Sequence, residues 1–226
     1  MVRLISFEGG DGSGKTTQLR LLESYLAGQG CACVSTREPG GTALGNVVRR
    51  VLLEAGAEEI SSPSELFLYL ADRAQHIHEV IQPAFARGAL VLCDRFTDST
   101  LAYQGYGRGI DLQMLRSLNE VASGGITPEL SFLLDCPVEV GLSRATARKL
   151  ESLNAGKPPS LPASQPPSQD RFEREKVEFH ERVRTGFLEL ARAEPERIYL
   201  LDSTRSIQDV HEEIKKIVDA KLEDGQ

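Results

Sequence analysis

Residues 9–16 read Gly-Gly-Asp-Gly-Ser-Gly-Lys-Thr, which fits the pattern G-x-x-x-x-G-K-[ST]. An apolar run at 4–7 precedes the motif, and a helical pattern carrying Leu19, Leu22 and Leu26 follows it. That strand–loop–helix setting gives the motif its meaning. Glycines let backbone N–H groups converge on phosphate oxygens, at the positive end of the following helix. In such a loop Lys15 reaches the β- and γ-phosphates, and the Thr16 hydroxyl ligates Mg²⁺. The loop alone does not separate a kinase from a GTPase or an ATPase.

The rest of the chain repeats the alternation. Residues 31–36, 89–93, 130–134 and 198–201 read as further strands. Residues 43–55, 64–87, 112–122, 138–150, 172–193 and 207–222 read as helices; Leu66, Leu70, Ala74, Ile77 and Ile81 form an apolar stripe in the second of these. The expected fold class is α/β: a P-loop NTPase fold, with a five-stranded parallel sheet covered by helices on both faces. One domain spans 1–226, a length that buries a sizeable core without disulfides or metal. Residues 151–169 break the order. They hold five of the chain's 11 prolines and few apolar residues, and read as a flexible excursion between two helices.

Composition excludes several classes. The net charge of −7 argues against general nucleic-acid binding, which wants a basic face. No apolar run approaches the roughly 18 residues of a membrane span. The N-terminus enters a strand at once, so no signal peptide is visible. Cys31, Cys33, Cys93 and Cys136 form no CxxC and read as reduced thiols of a cytoplasmic protein.

Further candidates lie at strand ends, where open α/β sheets place their ligands. Asp94-Arg95 follows the third strand; Asp94 is placed to hold Mg²⁺ through water, and Arg95 to meet a phosphate bidentately. Arg37-Glu38-Pro39-Gly40-Gly41-Thr42 ends the second strand. N-K-x-D and a D-x-x-G after a strand are missing, which lowers a switch-GTPase reading.

Four collinear motifs now resemble one family, thymidylate kinase. They are Phe7-Glu8-Gly9-Gly10-Asp11-Gly12-Ser13-Gly14-Lys15-Thr16-Thr17-Gln18, the Arg37–Thr42 segment, Asp94-Arg95-Phe96-Thr97-Asp98-Ser99 and Ala102-Tyr103-Gln104-Gly105. The resemblance implies transfer of the γ-phosphoryl of ATP to dTMP with Mg²⁺, in a homodimer that binds neither nucleic acid nor membrane. It implies that Asp11 contacts the dTMP 3′-hydroxyl and that Arg95 and Arg49 clamp its phosphate. Arg73 would read the thymine edge, one helical turn after Tyr69, which stands where the family stacks a Phe; Phe67 is a rival for that stacking role. Glu38, Ser99, Thr100, Tyr103 and Gln104 would complete the acceptor site, with Tyr103 crowding a ribose 2′-hydroxyl. On the donor side the resemblance implies loop residues 9–17, then Arg144, Arg148 and Arg171 in a lid spanning 144–173. Loop positions 10–13 hold no arginine, so the chain resembles the bacterial group with catalytic arginines in the lid. Arg148 would stabilise the moving phosphoryl, beside Lys15, Arg95 and Asp11, with Arg171 behind it. Two alternatives remain at this stage: a related kinase with another acceptor, and a nucleotide-gated scaffold that has lost catalysis.

Overall fold

A computed structural model describes residues 2–53, 60–154, 171–172 and 175–223. Its centre is a parallel sheet of β1 (Leu4–Glu8), β2 (Cys33–Arg37), β3 (Leu90–Asp94), β4 (Leu130–Asp135) and β5 (Ile198–Asp202), in the order β2-β3-β1-β4-β5. Ile5 faces Leu92 on one side and Leu130 on the other. The order places the end of β1 beside the end of β3, so the glycine loop and Asp94-Arg95 meet at the same edge. β1 is buried throughout, as its continuous apolar run requires.

The helices are α1 (Lys15–Gly28), α2 (Ala43–Leu53), α3 (Ser62–His76), α4 (Gln82–Ala86), α5 (Thr97–Thr100), α6 (Leu112–Ser123), α7 (Val138–Asn154), α8 (Val177–Ala193) and α9 (Ile207–Glu223). Alternate strand residues enter different clusters. Ile5, Phe7, Leu92 and Phe132 pack under Leu19, Leu22, Ile214 and Val218 of α1 and α9. Leu4, Val91 and Cys93 face Ile77, Ile81 and Phe96. A third cluster joins Leu66 and Leu70 to Phe179, Val183, Phe187 and Leu190 of α8. The sheet is thus covered on both faces. Among the described residues, no helix is long and apolar enough to cross a membrane.

Several elements differ from the sequence reading. The helix expected over 64–87 is α3, a π-helical turn at Ile77–Ile81 and α4. Pro83 has no N–H to donate to the preceding turn, which accounts for the widened ladder just before it. β2 begins at Cys33 and reaches Arg37, rather than running 31–36. The helix expected at 172 starts at Val177. α7 continues through Asn154, so residues 151–154 are helical: the first breakers of the excursion, Gly156 and Pro158, come after them. The remainder of the Pro-rich excursion, 155–169, lies outside the described residues, as do 54–55. Residues 97–107, assigned to no element by periodicity, form α5 and a π-helical run at Leu101–Gly107.

Candidate active site

The loop between β1 and α1 is seated by close backbone packing. Gly12 has φ 71°, and a Cβ there would strike the backbone of Gly141 in the first turn of α7. A Cβ on Gly141 would in turn strike the Asp11 carbonyl. Gly141 therefore fixes the loop's position, a role with no local motif to reveal it. Lys15 Nζ donates to the Gly9 and Gly10 carbonyls at 3.1 and 2.7 Å. Burial, with Arg95 nearby, pulls Lys15 down to about 8, so it remains charged at pH 7. The Thr16 hydroxyl donates to Asp94 Oδ2 at 2.6 Å, bringing together the two residues expected to hold Mg²⁺. Both are hard oxygen donors at the mouth of the phosphate cleft, the chemistry that Mg²⁺ takes.

Arg95 sits at the centre of the site, in the left-handed backbone region at φ 71°. Its guanidinium donates to Gly9 O at 2.9 Å, Ser99 Oγ at 3.2 Å, Asp11 Oδ1 at 2.8 Å and the Tyr103 hydroxyl at 3.0 Å. It also lies over the Tyr103 ring. Burial would raise the Asp11 carboxyl, but Arg95, Lys15 and His180 outweigh it and hold Asp11 below the usual aspartate range. Asp11 is therefore an anion at neutral pH. Behind Arg95 lies Glu8, fully buried, which accepts from the Phe96 N–H at 2.9 Å and the Ser99 hydroxyl at 2.6 Å. Burial, reinforced by Asp98, pushes Glu8 up to about 7.

An inner pocket opens beside Arg95. Asp11, Glu38, Arg49, Tyr69, Arg73, Arg95, Ser99, Thr100, Tyr103 and Gln104 all line it. The structure thus brings these ten residues, from four separate segments of chain, to one pocket. Arg73 is 1% exposed. Two of its nitrogens reach Glu38 Oε2 at 2.8 Å, and Nη1 donates to Thr100 at 3.0 Å and Asn119 at 2.5 Å. His76 holds the other Glu38 oxygen at 2.9 Å. Burial works against the Glu38 anion, yet Arg73 and His76 hold its carboxyl below the usual range. Arg73 can spare little more than one N–H for a ligand, so its aim is set by Glu38, Thr100 and Asn119. Next to it, Asp72 accepts from the Gly40 N–H at 3.0 Å, and its other oxygen has no partner. Burial, reinforced by the Glu38 charge, pushes Asp72 up to about 7.

Of the two aromatics left open by spacing, Tyr69 lines the pocket, whereas Phe67 is 61% exposed. The sequence did not single out Phe172, which closes the pocket. Its ring meets Tyr103 edge-on at 5.6 Å and Tyr69 at 6.4 Å. Arg171 sits with it, on the acceptor side. Its Nε donates to Leu52 O at 3.0 Å and its guanidinium pairs with buried Glu65. Arg171, the second candidate after Arg148 for the moving phosphoryl, is held away from the donor side: Glu65, which also binds Gln104 and Arg108, draws it to α3. Arg49 Nη1 donates to Pro39 O at 3.0 Å.

The phosphate cleft adjoins this pocket and shares Asp11, Glu38, Arg49 and Arg95 with it. Its other walls include Lys15, Thr16, Asp94 and Arg148, so α7 does bring Arg148 to the loop. Arg144 and Arg148 also line a recess beside Gly12, Ser13, Gly14 and Thr17. There Arg144 donates to Ser203 O at 2.9 Å. Ser203 and Arg205, which follow β5, complete the recess. The rule that ligands sit at strand carboxyl ends could have flagged both.

Known proteins similar to this chain share one family. The family model for thymidylate kinase matches residues 7–214. A thymidylate kinase of Desulfovibrio desulfuricans is 48% identical over 218 residues, covering 96% of this chain and 95% of the relative. One from Synechococcus sp. (strain JA-2-3B'a(2-13)) is 49% identical over the same length, with 96% and 95% covered. The crystal structure of thymidylate kinase from Ehrlichia chaffeensis superposes with a TM-score of 0.71 at 34% identity, covering 96% of this chain and 98% of that one.

Proposed function

The chain belongs to the thymidylate kinase family, and from that premise we propose that it transfers the γ-phosphoryl of ATP to dTMP, giving dTDP and ADP. The observation that carries the reading is the shared wall of the two cavities. Arg95 and Asp11 border both the phosphate cleft and the inner pocket, so a donor and an acceptor phosphate would meet at Arg95.

The acceptor is a phosphate oxygen, already ionised at neutral pH, so no strong general base is needed. Catalysis is then positioning and charge neutralisation. Lys15 would leave the loop carbonyls for the donor phosphates, since a charged acceptor makes the stronger hydrogen bond. Thr16 and Asp94 would hold Mg²⁺. When bound, the ion neutralises charge on the donor phosphates. Arg95 would hold the acceptor phosphate, with Arg49 beside it. Arg148 would face the transferred group. Asp11 would accept from the 3′-hydroxyl. Tyr69 and Phe172 offer an aromatic wall to the base, and Arg73 a fixed donor to its edge. Tyr103 fills the space near the sugar. Arg144 and Arg205 would flank the donor nucleotide. We further propose that residues 144–173 act as the lid of the single domain, shielding the phosphoryl from water.

We also propose a homodimer. Leu44, Val47 and Val51 of α2 and Phe67 of α3 leave an apolar face about half exposed, which supports it. A monomeric mass by light scattering would overturn this. The four free thiols favour a reducing, cytoplasmic setting.

The test is coupled ADP release with ATP and Mg²⁺, comparing dTMP, dUMP, ribothymidine monophosphate and no acceptor. Release that depends on dTMP and falls with the others supports the reading. Equal release without acceptor refutes it.

A further inference from the structure

We infer that Glu8 is a positioning residue for Arg95, holding the guanidinium at the junction of the two cavities through Phe96 and Ser99. The inference rests on the proposed function, since it concerns the arginine assigned to the acceptor phosphate.

β1 grips the segment after β3 at three points. Phe7 O accepts from the Arg95 N–H at 3.0 Å. One residue further along each chain, Glu8 Oε1 accepts from the Phe96 N–H at 2.9 Å. Glu8 Oε2 accepts from the Ser99 hydroxyl at 2.6 Å. The peptide groups on either side of the Arg95 Cα are thus tied to successive residues of β1. This is where the backbone turns into the left-handed region, which a side-chain-bearing residue adopts only when its surroundings enforce it. Without the Glu8 bond, the Phe96 N–H would be buried and unpaired, because Phe96 is fully buried.

The Ser99 bond aims the side chain. Ser99 donates its hydroxyl proton to Glu8 Oε2. Its remaining lone pairs then face Arg95 Nη1, 3.2 Å away. Glu8 is fully buried, and it lines neither the inner pocket nor the phosphate cleft. It therefore acts through Arg95 and not by touching substrate. Asp98, its acidic neighbour, is neutralised separately by Arg197, at 2.8 Å to each carboxylate oxygen.

The test is a double-mutant cycle read by dTMP-dependent ADP release. Read at pH 8, above the value near 7 to which burial pushes Glu8, Glu8→Gln keeps the volume and one acceptor but removes the charge. We expect it to lower kcat/KM for dTMP about tenfold while KM for ATP stays within about twofold. In an Arg95→Lys background, which lacks the guanidinium fork, the same substitution should change kcat/KM for dTMP by less than about twofold. Ser99→Ala breaks the link from the helix side and should raise KM for dTMP over KM for ATP; because Ser99 also lines the inner pocket, that rise must vanish in the Arg95→Lys background for it to carry the test if Glu8→Gln does not fold. Equal effects of Glu8→Gln in both backgrounds, or equal shifts in both KM values, would overturn the inference. So would a Ser99→Ala variant with the parent's KM for dTMP. A parent protein without dTMP-dependent turnover would overturn the proposed function and this inference with it. Parent turnover with additive substitutions overturns this inference alone.

Discussion

Substituting Gly141 by Ala sets two known effects against each other. Gly141 lies in the first turn of α7, and Ala there improves helix propensity by up to about 1 kcal/mol. Against this, the new Cβ would lie well inside 3 Å of the Asp11 carbonyl oxygen, a backbone atom that cannot rotate away. Ordinary contact begins near 3.4 Å, so the loop or the helix must retreat by about 1 Å. Overpacking of this kind costs about 1–3 kcal/mol and outweighs the propensity gain. A net loss near 1 kcal/mol lowers the midpoint of thermal unfolding by about 2–4 °C in a chain of this size. The effect on rate should be larger. The displaced carbonyl belongs to Asp11, whose carboxylate pairs with Arg95 at 2.8 Å, and Gly10 and Lys15 move with it. A misplacement of about 1 Å costs on the order of 10²-fold in rate. The assay is steady-state ADP release at saturating ATP and dTMP, with the thermal midpoint measured on the same preparation. Undiminished kcat together with a raised midpoint would refute the reasoning, because the loop would then not be seated on Gly141.

Three other substitutions probe separate parts of the site. Lys15→Ala removes a buried cation whose contacts are two loop carbonyls and Ser13, so folding should persist while transfer falls by at least about 10²–10³; an unchanged rate discards the phosphate-site assignment. Tyr103→Phe deletes the hydroxyl that accepts from Arg95 but keeps the ring against Phe172 and Phe187, so KM for dTMP should rise about tenfold and preference for dTMP over ribothymidine monophosphate should narrow; constants equal to the parent's would remove Tyr103 from the acceptor subsite. Asp72→Asn tests the carboxyl held up at about 7: its protonated form is favoured by folding, so its contribution is full below the unfolded value near 4 and is lost as pH rises through 7. Urea unfolding should therefore show Asn gaining about 2 kcal/mol on the parent between pH 5.5 and 8; a pH-independent difference rules the mechanism out.

Much of the fold was legible because its signals are local. Each strand announced itself as an apolar run, and each long helix as a 3.6-residue stripe. The misreadings share a cause, which is stabilisation from a distance. Thr97, Asp98, Ser99, Thr100, Gly105 and Gly107 are poor helix formers. They are held here because Glu8 of β1 accepts from Phe96 and Ser99, and Arg197 before β5 donates to Asp98. No window of sequence contains those partners. The start of α8 was misplaced for a similar reason: Phe172 satisfies a helical pattern but is buried against Tyr103 and Phe179 instead.

The site divides along the same line. Lys15, Thr16, Asp94 and Arg95 stand in motifs, Arg73 was marked by the resemblance, and the structure gathers all five into two adjoining cavities. Their supports are scattered: Glu8 lies 88 residues from Phe96, Asn119 lies 46 from Arg73, and Glu65 lies 106 from Arg171. Those supports decide what the motif residues can do. Arg73 is almost saturated by Glu38, Thr100 and Asn119, which turns a flexible cation into a single directed donor. Glu65 is fully buried, so each donor it receives compensates charge that would otherwise be uncompensated. That requirement, and not the pull of a phosphate, places Arg171. A chemical role assigned to an arginine from its motif therefore holds only as far as the buried carboxylates around it allow. In this chain Arg148 lines the phosphate cleft, whereas Glu65 holds Arg171 at α3.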